Sequence, residues 1–498
     1  MKKVSLGLLL VLLAAFANAE VTLPVLLSNG AVLQRDMPMH FWGMAAPGEN
    51  VSVTFLGHSG TATADSLGRW NVYLPPAPAG GPYEVTIQGS NRIVLHNVLV
   101  GDVWVASGQS NMEFPMQQLK DAEQEIAAAN LPRVQLLTIK HAHSEYPLSD
   151  ASAKPWTACS PASVREFSAV AYYFAREISQ KEKVPIGVIE SSWGGTVAEA
   201  WTSMDALTSD PGLMPVFTAR AHMMDDMEDT LLRQKQEAAE LEAAKQKGLP
   251  LPQFPWHPEP EMWEPAALFN AMISPLTAFP IRGVIWYQGE SNSIIARDPY
   301  LYGQQFQLLI QDWRKRWDEG DFPFLYVQIA NFKSTAAEDW PTIRQGQLSA
   351  LALRNTGMAV TIDIGNPDDV HPLDKLDVGH RLALIARANV YGESIEYSGP
   401  LVHEVTREAN GLRVWFDHAG TGLAMKGAAL TSFEVAGTDG KFEPAAARID
   451  GDTVVVTSAA VPNPVAVRYG WANSPECNLF NKEGLPASPF SVSLPPLH

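Results

Sequence analysis

Between residues 99 and 395 the chain repeats one pattern: a short, nearly continuous apolar run followed by a longer stretch with apolar residues at helical spacing. The runs are VWVAS (103–107), RVQLLTI (133–139), GVIESS (187–192), GVIWYQG (283–289), FLYVQIA (324–330) and MAVTIDIG (358–365). Strands read this way when both faces are buried, as in the centre of a parallel sheet. Parallel neighbours need crossover connections. SAVAYYFAREISQKEK (168–183), LYGQQFQLLIQDWRKRW (301–317), TIRQGQLSALALRN (342–355) and KLDVGHRLALIARANVY (375–391) supply helices for them. The alternation predicts a doubly wound α/β sheet, with its ligand site outside the carboxyl ends of the strands.

The flanks differ. Residues 20–98 and 396–498 carry alternating runs such as VSVTFLG, PYEVTIQG, GLRVWFDH and DTVVVTS, separated by Gly, Pro and Asn. They predict β-sandwich-like regions on either side of the central domain. Residues 204–265 interrupt the rhythm with a charged, helix-forming stretch and then the Pro-rich, aromatic LPLPQFPWHPEPEMWEP. The first is expected to form a solvated helix beside the cleft. Residues 1–19 have a basic start at Lys2 and Lys3, a short apolar core, and Ala17 and Ala19 at the end. That is the layout of a cleaved secretory signal, with a core shorter than the ~20 apolar residues that span a bilayer. The chain is therefore expected to be exported, periplasmic or extracellular. A net charge of −18 opposes phosphate backbones and anionic lipid surfaces, so neither nucleic acid nor membrane is an expected partner. Export permits a disulfide, but Cys159 and Cys477 are expected to be separate thiols.

Four polar motifs end four of the expected strands. In SGQSNM, Ser110 stands at a strand-to-helix turn that Gly108 makes possible; the residue type also suits a plain helix cap. Met112 replaces the last Gly of G-x-S-x-G, which argues against the usual α/β-hydrolase elbow. In NPDDVHP, His371 follows Asp368 by three residues and Asp369 by two, so one loop supplies both a base and a carboxylate to orient it. In YQGESN, Gln288 and Asn292 are candidate amide donors to an oxyanion, and Glu290 is an alternative partner for the base. In SSWGGT, Gly194 and Gly195 let a backbone N–H approach the same oxygen. Each alone is ordinary turn chemistry; their succession along one sheet edge points to a hydrolytic site. The H-x-H pair His141 and His143 has no accompanying carboxylate or Cys cluster and is expected on a surface loop. Among Trp193, Trp201, Trp256, Trp263 and Trp286, Trp256 and Trp263 are the candidates for cleft walls. No Gly-Lys phosphate loop or dinucleotide fingerprint is present.

SGQSNM, SSWGGT, WYQGESN and VHP together resemble the four blocks of the SGNH (GDSL-like) hydrolase superfamily, and most closely sialate O-acetylesterases and related carbohydrate acetylesterases. LPVLLSNGAVLQRD, EAW (199–201), LFNAMISPL (268–276) and NLFNKEGLPASPF extend the likeness over nearly the whole chain. The resemblance implies an esterase with Ser110 as nucleophile and His371 as base, needing neither metal nor cofactor. Oxyanion donors would come from Ser110 N–H, the Gly194–Gly195 turn and a third-block side chain. That block reads Gln-Gly-Glu-Ser-Asn where the wider superfamily has Gly-x-Asn-Asp, so Gln288 and Asn292 both stay open, as do Asp368, Asp369 and Glu290 for the acid. The implied substrate is an O-acetylated carbohydrate, either sialic acid or a plant hemicellulose such as xylan or xyloglucan. The alternative of another class is a non-catalytic carbohydrate-binding protein, which would turn over no ester.

Overall fold

The computed structural model describes residues 20–218, 221, 227–252, 254 and 260–495. The signal-like segment 1–19 and Trp256 lie outside the described residues.

One strand organises the molecule. Arg92–Gly108 runs for 17 residues without interruption. Its first half pairs antiparallel with Gly80–Gln88 and parallel with Val32–Gln34 in the N-terminal β region. Its second half lies in the central sheet, parallel to Ile186–Ser192 on one side and Gly283–Tyr287 on the other. The boundary expected at 98/99 thus falls inside a single strand, with no linker. Leu131–Thr138 extends the sheet beyond Ile186–Ser192, and Phe324–Gln328 and Thr356–Val360 extend it beyond Gly283–Tyr287. All these neighbours are parallel; the short edge strand Thr157–Cys159 is antiparallel. The chain therefore winds outward in both directions from Arg92–Gly108, and its carboxyl end is the switch point at which such sheets bind ligands.

The helices cover both faces. Trp104 meets Phe174 of helix Ala169–Glu182 edge-on, with ring centroids 4.9 Å apart. Trp286 meets Phe306 and Trp313 of helix Tyr302–Trp317, and it pairs in register with Ser107. Positions 104 and 107 have opposite parity, so the two helices sit on opposite faces. Trp201 and Trp286 are fully buried in this layer and form core. Asp102, also fully buried, accepts from Arg35 Nε (2.8 Å) and Nη2 (3.0 Å), Gln34 Nε2 (3.2 Å) and the Tyr391 hydroxyl (2.9 Å). A buried carboxylate is tolerable only when paired in this way, and here it fastens the N-terminal region to the sheet.

The C-terminal region holds two four-stranded antiparallel sheets around their own apolar cluster, centred on Val414, Val435, Val456 and Phe490. It docks on the central α/β layer through Arg344. This buried guanidinium donates to the carbonyls of Ile329 (3.0 Å), Ala330 (2.8 Å), Ala472 (2.8 Å) and Asn473 (2.8 Å). Within 204–265 the charged stretch forms the 21-residue helix Met227–Lys247, most of whose described side chains are exposed. Cys159 and Cys477 are free thiols.

Arg344→Met would leave the buried carbonyls of Ile329 and Ala330 without their guanidinium donor and remove the bonds to the part-buried carbonyls of Ala472 and Asn473. The expected loss is at least ~3 kcal/mol of stability, read as a lower urea midpoint, whereas exchange of an exposed arginine such as Arg448 should change it by less than about 0.5 kcal/mol.

Candidate active site

The turn that carries Ser110 depends on close backbone approach. Gly108 has φ +134°, and a Cβ there would lie 2.1 Å from the Tyr287 carbonyl oxygen. Only glycine fits, and the same carbonyl accepts the Gln109 N–H at 2.9 Å. The chain then turns into the short helix Ser110–Glu113. The Ser110 N–H belongs to the first helical turn, whose donors have no intrahelical acceptor. The base arrives on a loop beyond strand Thr356–Val360. Asn366 Oδ1 accepts the Asp368 N–H (3.0 Å) and Asp369 Oδ1 accepts the His371 N–H (2.9 Å), which fixes the turn. The structure brings His371 Nε2 to 2.8 Å from Ser110 Oγ. That is hydrogen-bond reach for transfer of the serine proton.

The three candidate carboxylates separate. Asp369 Oδ1 lies 3.8 Å from His371 Nδ1, longer than a hydrogen bond but close enough to favour the imidazolium. Asp368 points away to Lys333 at 3.4 Å, its side chain 82% exposed. The geometry therefore favours Asp369 over Asp368, because alternate positions on this tight turn face opposite ways. Glu290 is buried beneath the site and does not meet the imidazole; its Oε1 accepts from Asn111 Nδ2 at 2.6 Å.

Asn111 is the hub of that lower layer. Its Nδ2 also donates to the Val370 carbonyl (3.1 Å), and its Oδ1 accepts from the Lys375 ammonium. Lys375 is fully buried, with its ammonium over the rings of Phe114 (4.9 Å) and Tyr287 (5.6 Å). Burial pushes Lys375 down to about 7, against the pull of Glu290, Asp369 and Asp374. Burial raises Glu290, against the Asn111 bond and Lys375. Burial and the nearby Lys375 cation hold His371 below its ordinary value, opposed by Asp369 and Glu113. A neutral imidazole is the form that can accept a proton.

The expected oxyanion donors fall into two groups. Gly194 packs directly on Ser110; a Cβ there would lie 3.1 Å from Ser110 Cβ. Gly195, with φ +78°, completes the turn, and its carbonyl accepts from Trp263 Nε1 at 2.7 Å. Gln288 and Asn292 instead face the interior. Gln288 Nε2 donates to Asn292 Oδ1 (2.6 Å) and the Thr196 carbonyl (3.2 Å), and Asn292 Nδ2 donates to Glu199 (3.0 Å). Both amides are spent on scaffolding, because the strand end that carries them is sealed by helix Tyr302–Trp317. That leaves the backbone N–H groups of Ser110 and Gly194 as the candidate oxyanion donors, the Gly194 N–H donating to Glu113 Oε2 at 2.6 Å in this structure.

Sequence reasoning missed Glu113, Lys375 and the role of His141. Glu113 stands three residues after Ser110, the spacing that shares a helix face, and Lys375 stands four after His371; those spacings were the available signals. His141, expected on a plain surface loop, stacks on Trp193 (4.5 Å, 3°) and pairs with Glu113 Oε1 at 2.9 Å. Trp193 thus lies at the cleft, while Trp263 is almost fully buried as a strut of the glycine turn. Among the described residues no group of three or more His, Cys, Asp or Glu could hold a metal ion.

Asp369→Asn is expected to lower kcat/KM by at least about tenfold while Asp368→Asn stays within about twofold of wild type, measured as ester hydrolysis. The acid limb of the kcat/KM profile should lie below pH ~6.5, the ordinary imidazole value. The sign follows from His371 being lowered: the imidazole stays unprotonated to lower pH than a free histidine, and activity falls only once it takes up a proton.

A family model described as a carbohydrate esterase, sialic acid-specific acetylesterase, matches residues 255–386. Sialate O-acetylesterase of Mus musculus is 30% identical over 94% of this chain and 93% of its own length. The Homo sapiens counterpart is 31% identical over 76% of this chain and 73% of its own. The crystal structure of a carbohydrate acetylesterase from Xanthomonas citri superimposes with a TM-score of 0.82 at 40% identity, covering 95% of this chain and 99% of that one. With the sheet, the switch point and the serine–histidine contact in place, these likenesses show that the chain belongs to the sialate O-acetylesterase family of carbohydrate esterases.

Proposed function

We propose that this carbohydrate O-acetylesterase works by a serine mechanism through an acetyl-enzyme. The observation that carries the proposal is the 2.8 Å contact between Ser110 Oγ and His371 Nε2 at the switch point of the sheet. Ser110 Oγ bonds to the acetyl carbonyl carbon as its proton passes to His371 Nε2. The oxyanion is held by the Ser110 and Gly194 N–H groups. The bond from that carbon to the sugar oxygen breaks, and His371 returns the proton to the leaving sugar hydroxyl. A water, deprotonated by the same imidazole, then attacks the acetyl-serine; acetate leaves and Ser110 regains its proton. Asp369 favours the transient imidazolium.

The name of the relatives points to O-acetylated sialic acid as the sugar. A second reading, an acetylated neutral hemicellulose such as xylan or xyloglucan, is favoured by the Glu113 and Asp369 carboxylates close to the site, which oppose an anionic sugar. We also propose that the protein acts after export, on the strength of the signal-like residues 1–19.

Wild-type protein should release acetate from at least one member of a panel of acetylated sialosides, xylan and xyloglucan. Ser110→Ala should lower that rate at least ~10³-fold without changing the thermal midpoint by more than a few degrees. Retained activity in Ser110→Ala would remove the nucleophile assignment, and no turnover by wild type on any acetyl ester would favour a binding protein.

A further inference from the structure

The Gly194 N–H, a donor assigned above to the oxyanion, is already taken. It donates to Glu113 Oε2 at 2.6 Å. The other carboxylate oxygen, Oε1, pairs with His141 Nε2 at 2.9 Å. A Cβ at position 194 would come within 3.1 Å of both Glu113 Oε2 and Ser110 Cβ, so this carboxylate oxygen sits against the same glycine that packs on the nucleophile. His141 is held in place by its stack on Trp193, the residue just before Gly194. Glu113 and His141 side chains are 35% and 41% exposed, so both can move.

A carboxylate oxygen on a backbone N–H has the charge and the acceptor geometry that an acetyl oxyanion develops. We propose that Glu113 is a built-in competitor for the oxyanion hole: it occupies the Gly194 N–H in the resting enzyme and yields it to the substrate carbonyl, keeping His141 as its partner. This deepens the esterase reading and rests on it. Two consequences follow from the competition. The N–H is never left open to acetate or other small anions between turnovers. A substrate must supply an acceptor that becomes strongly negative in the transition state in order to displace the carboxylate, which an acyl carbonyl under attack does and a sugar hydroxyl does not. Glu113 then acts as a specificity-determining residue, placed on the same short helix as the nucleophile.

The test compares wild type, Glu113→Gln and Glu113→Ala, with methylphosphonate as a non-reacting anionic probe and with acetate as product inhibitor. Binding is read by calorimetry and inhibition by hydrolysis of a chromogenic acetyl ester. Removing a charge-assisted competitor should tighten the probe and lower the acetate inhibition constant by roughly ten- to a hundredfold. A purely structural Glu113 would not move that readout in this direction. Anion affinity that is unchanged or weaker in both variants, each with a wild-type circular dichroism spectrum, overturns the proposal; if Glu113→Ala fails to fold, Glu113→Gln decides alone. The binding measurement is repeated in Ser110→Ala, where it needs no turnover. A failure of the esterase reading would instead appear as wild type that hydrolyses no acetyl ester.

Discussion

Everything chemical in this protein converges on one asparagine. Asn111 follows Ser110 in sequence and reaches the Val370 carbonyl, which precedes His371, at 3.1 Å. Its remaining polar capacity goes to the buried Glu290 carboxylate and the buried Lys375 ammonium. Two opposite charges taken out of water cost several kcal/mol each unless they are paired and hydrogen-bonded; an amide between them supplies a donor to one and an acceptor to the other. The arrangement has two effects. It ties the short helix Ser110–Glu113, the loop that carries His371 and helix Lys375–Asn389 to one point, which fixes the distance between Ser110 and His371. It also places the Lys375 cation close enough to His371 to add to burial in holding the imidazole below its ordinary value.

The long strand explains why the site is where it is. Arg92–Gly108 is shared by the N-terminal β region and the central sheet. It is anchored through Asp102 where it enters the central sheet, and its end delivers Ser110 into the gap between Ile186–Ser192 and Gly283–Tyr287. Those two neighbours deliver the glycine turn and the Gln-Gly-Glu-Ser-Asn segment. The C-terminal region is clamped on the far side through Arg344, whose four backbone acceptors are two consecutive carbonyls from each side, Ile329 and Ala330 of the central domain and Ala472 and Asn473 of the C-terminal region.

The sheet was legible in the sequence because buried parallel strands need not alternate polar and apolar residues; all six apolar runs from VWVAS to MAVTIDIG overlap an observed strand. Ser110 and His371 were legible as residues that such an edge can bring together. The roles of the amides were not. Gln288 and Asn292 look identical in sequence whether they face a cleft or a core, and the decision came from helix Tyr302–Trp317, whose packing is a tertiary fact. Asp368 and Asp369 are one residue apart on a turn, and only the backbone conformation sets which one faces the imidazole. His141 and Glu113 are far apart in the chain, so nothing local in H-x-H announces the pair. The 98/99 boundary failed to appear as a linker because a strand edge can change partners without any change in its own pattern.

The central claim is that an acetyl group rests on Ser110 during turnover. Rapid acid quench of wild-type protein mixed with an activated acetyl ester, followed by peptide mapping by mass spectrometry, observes it directly. One added acetyl group is expected on the peptide that contains Ser110, absent in Ser110→Ala and accumulating in proportion to the burst of alcohol released. Release of acetate with no acetylated peptide, or with the acetyl group on another residue, would contradict it.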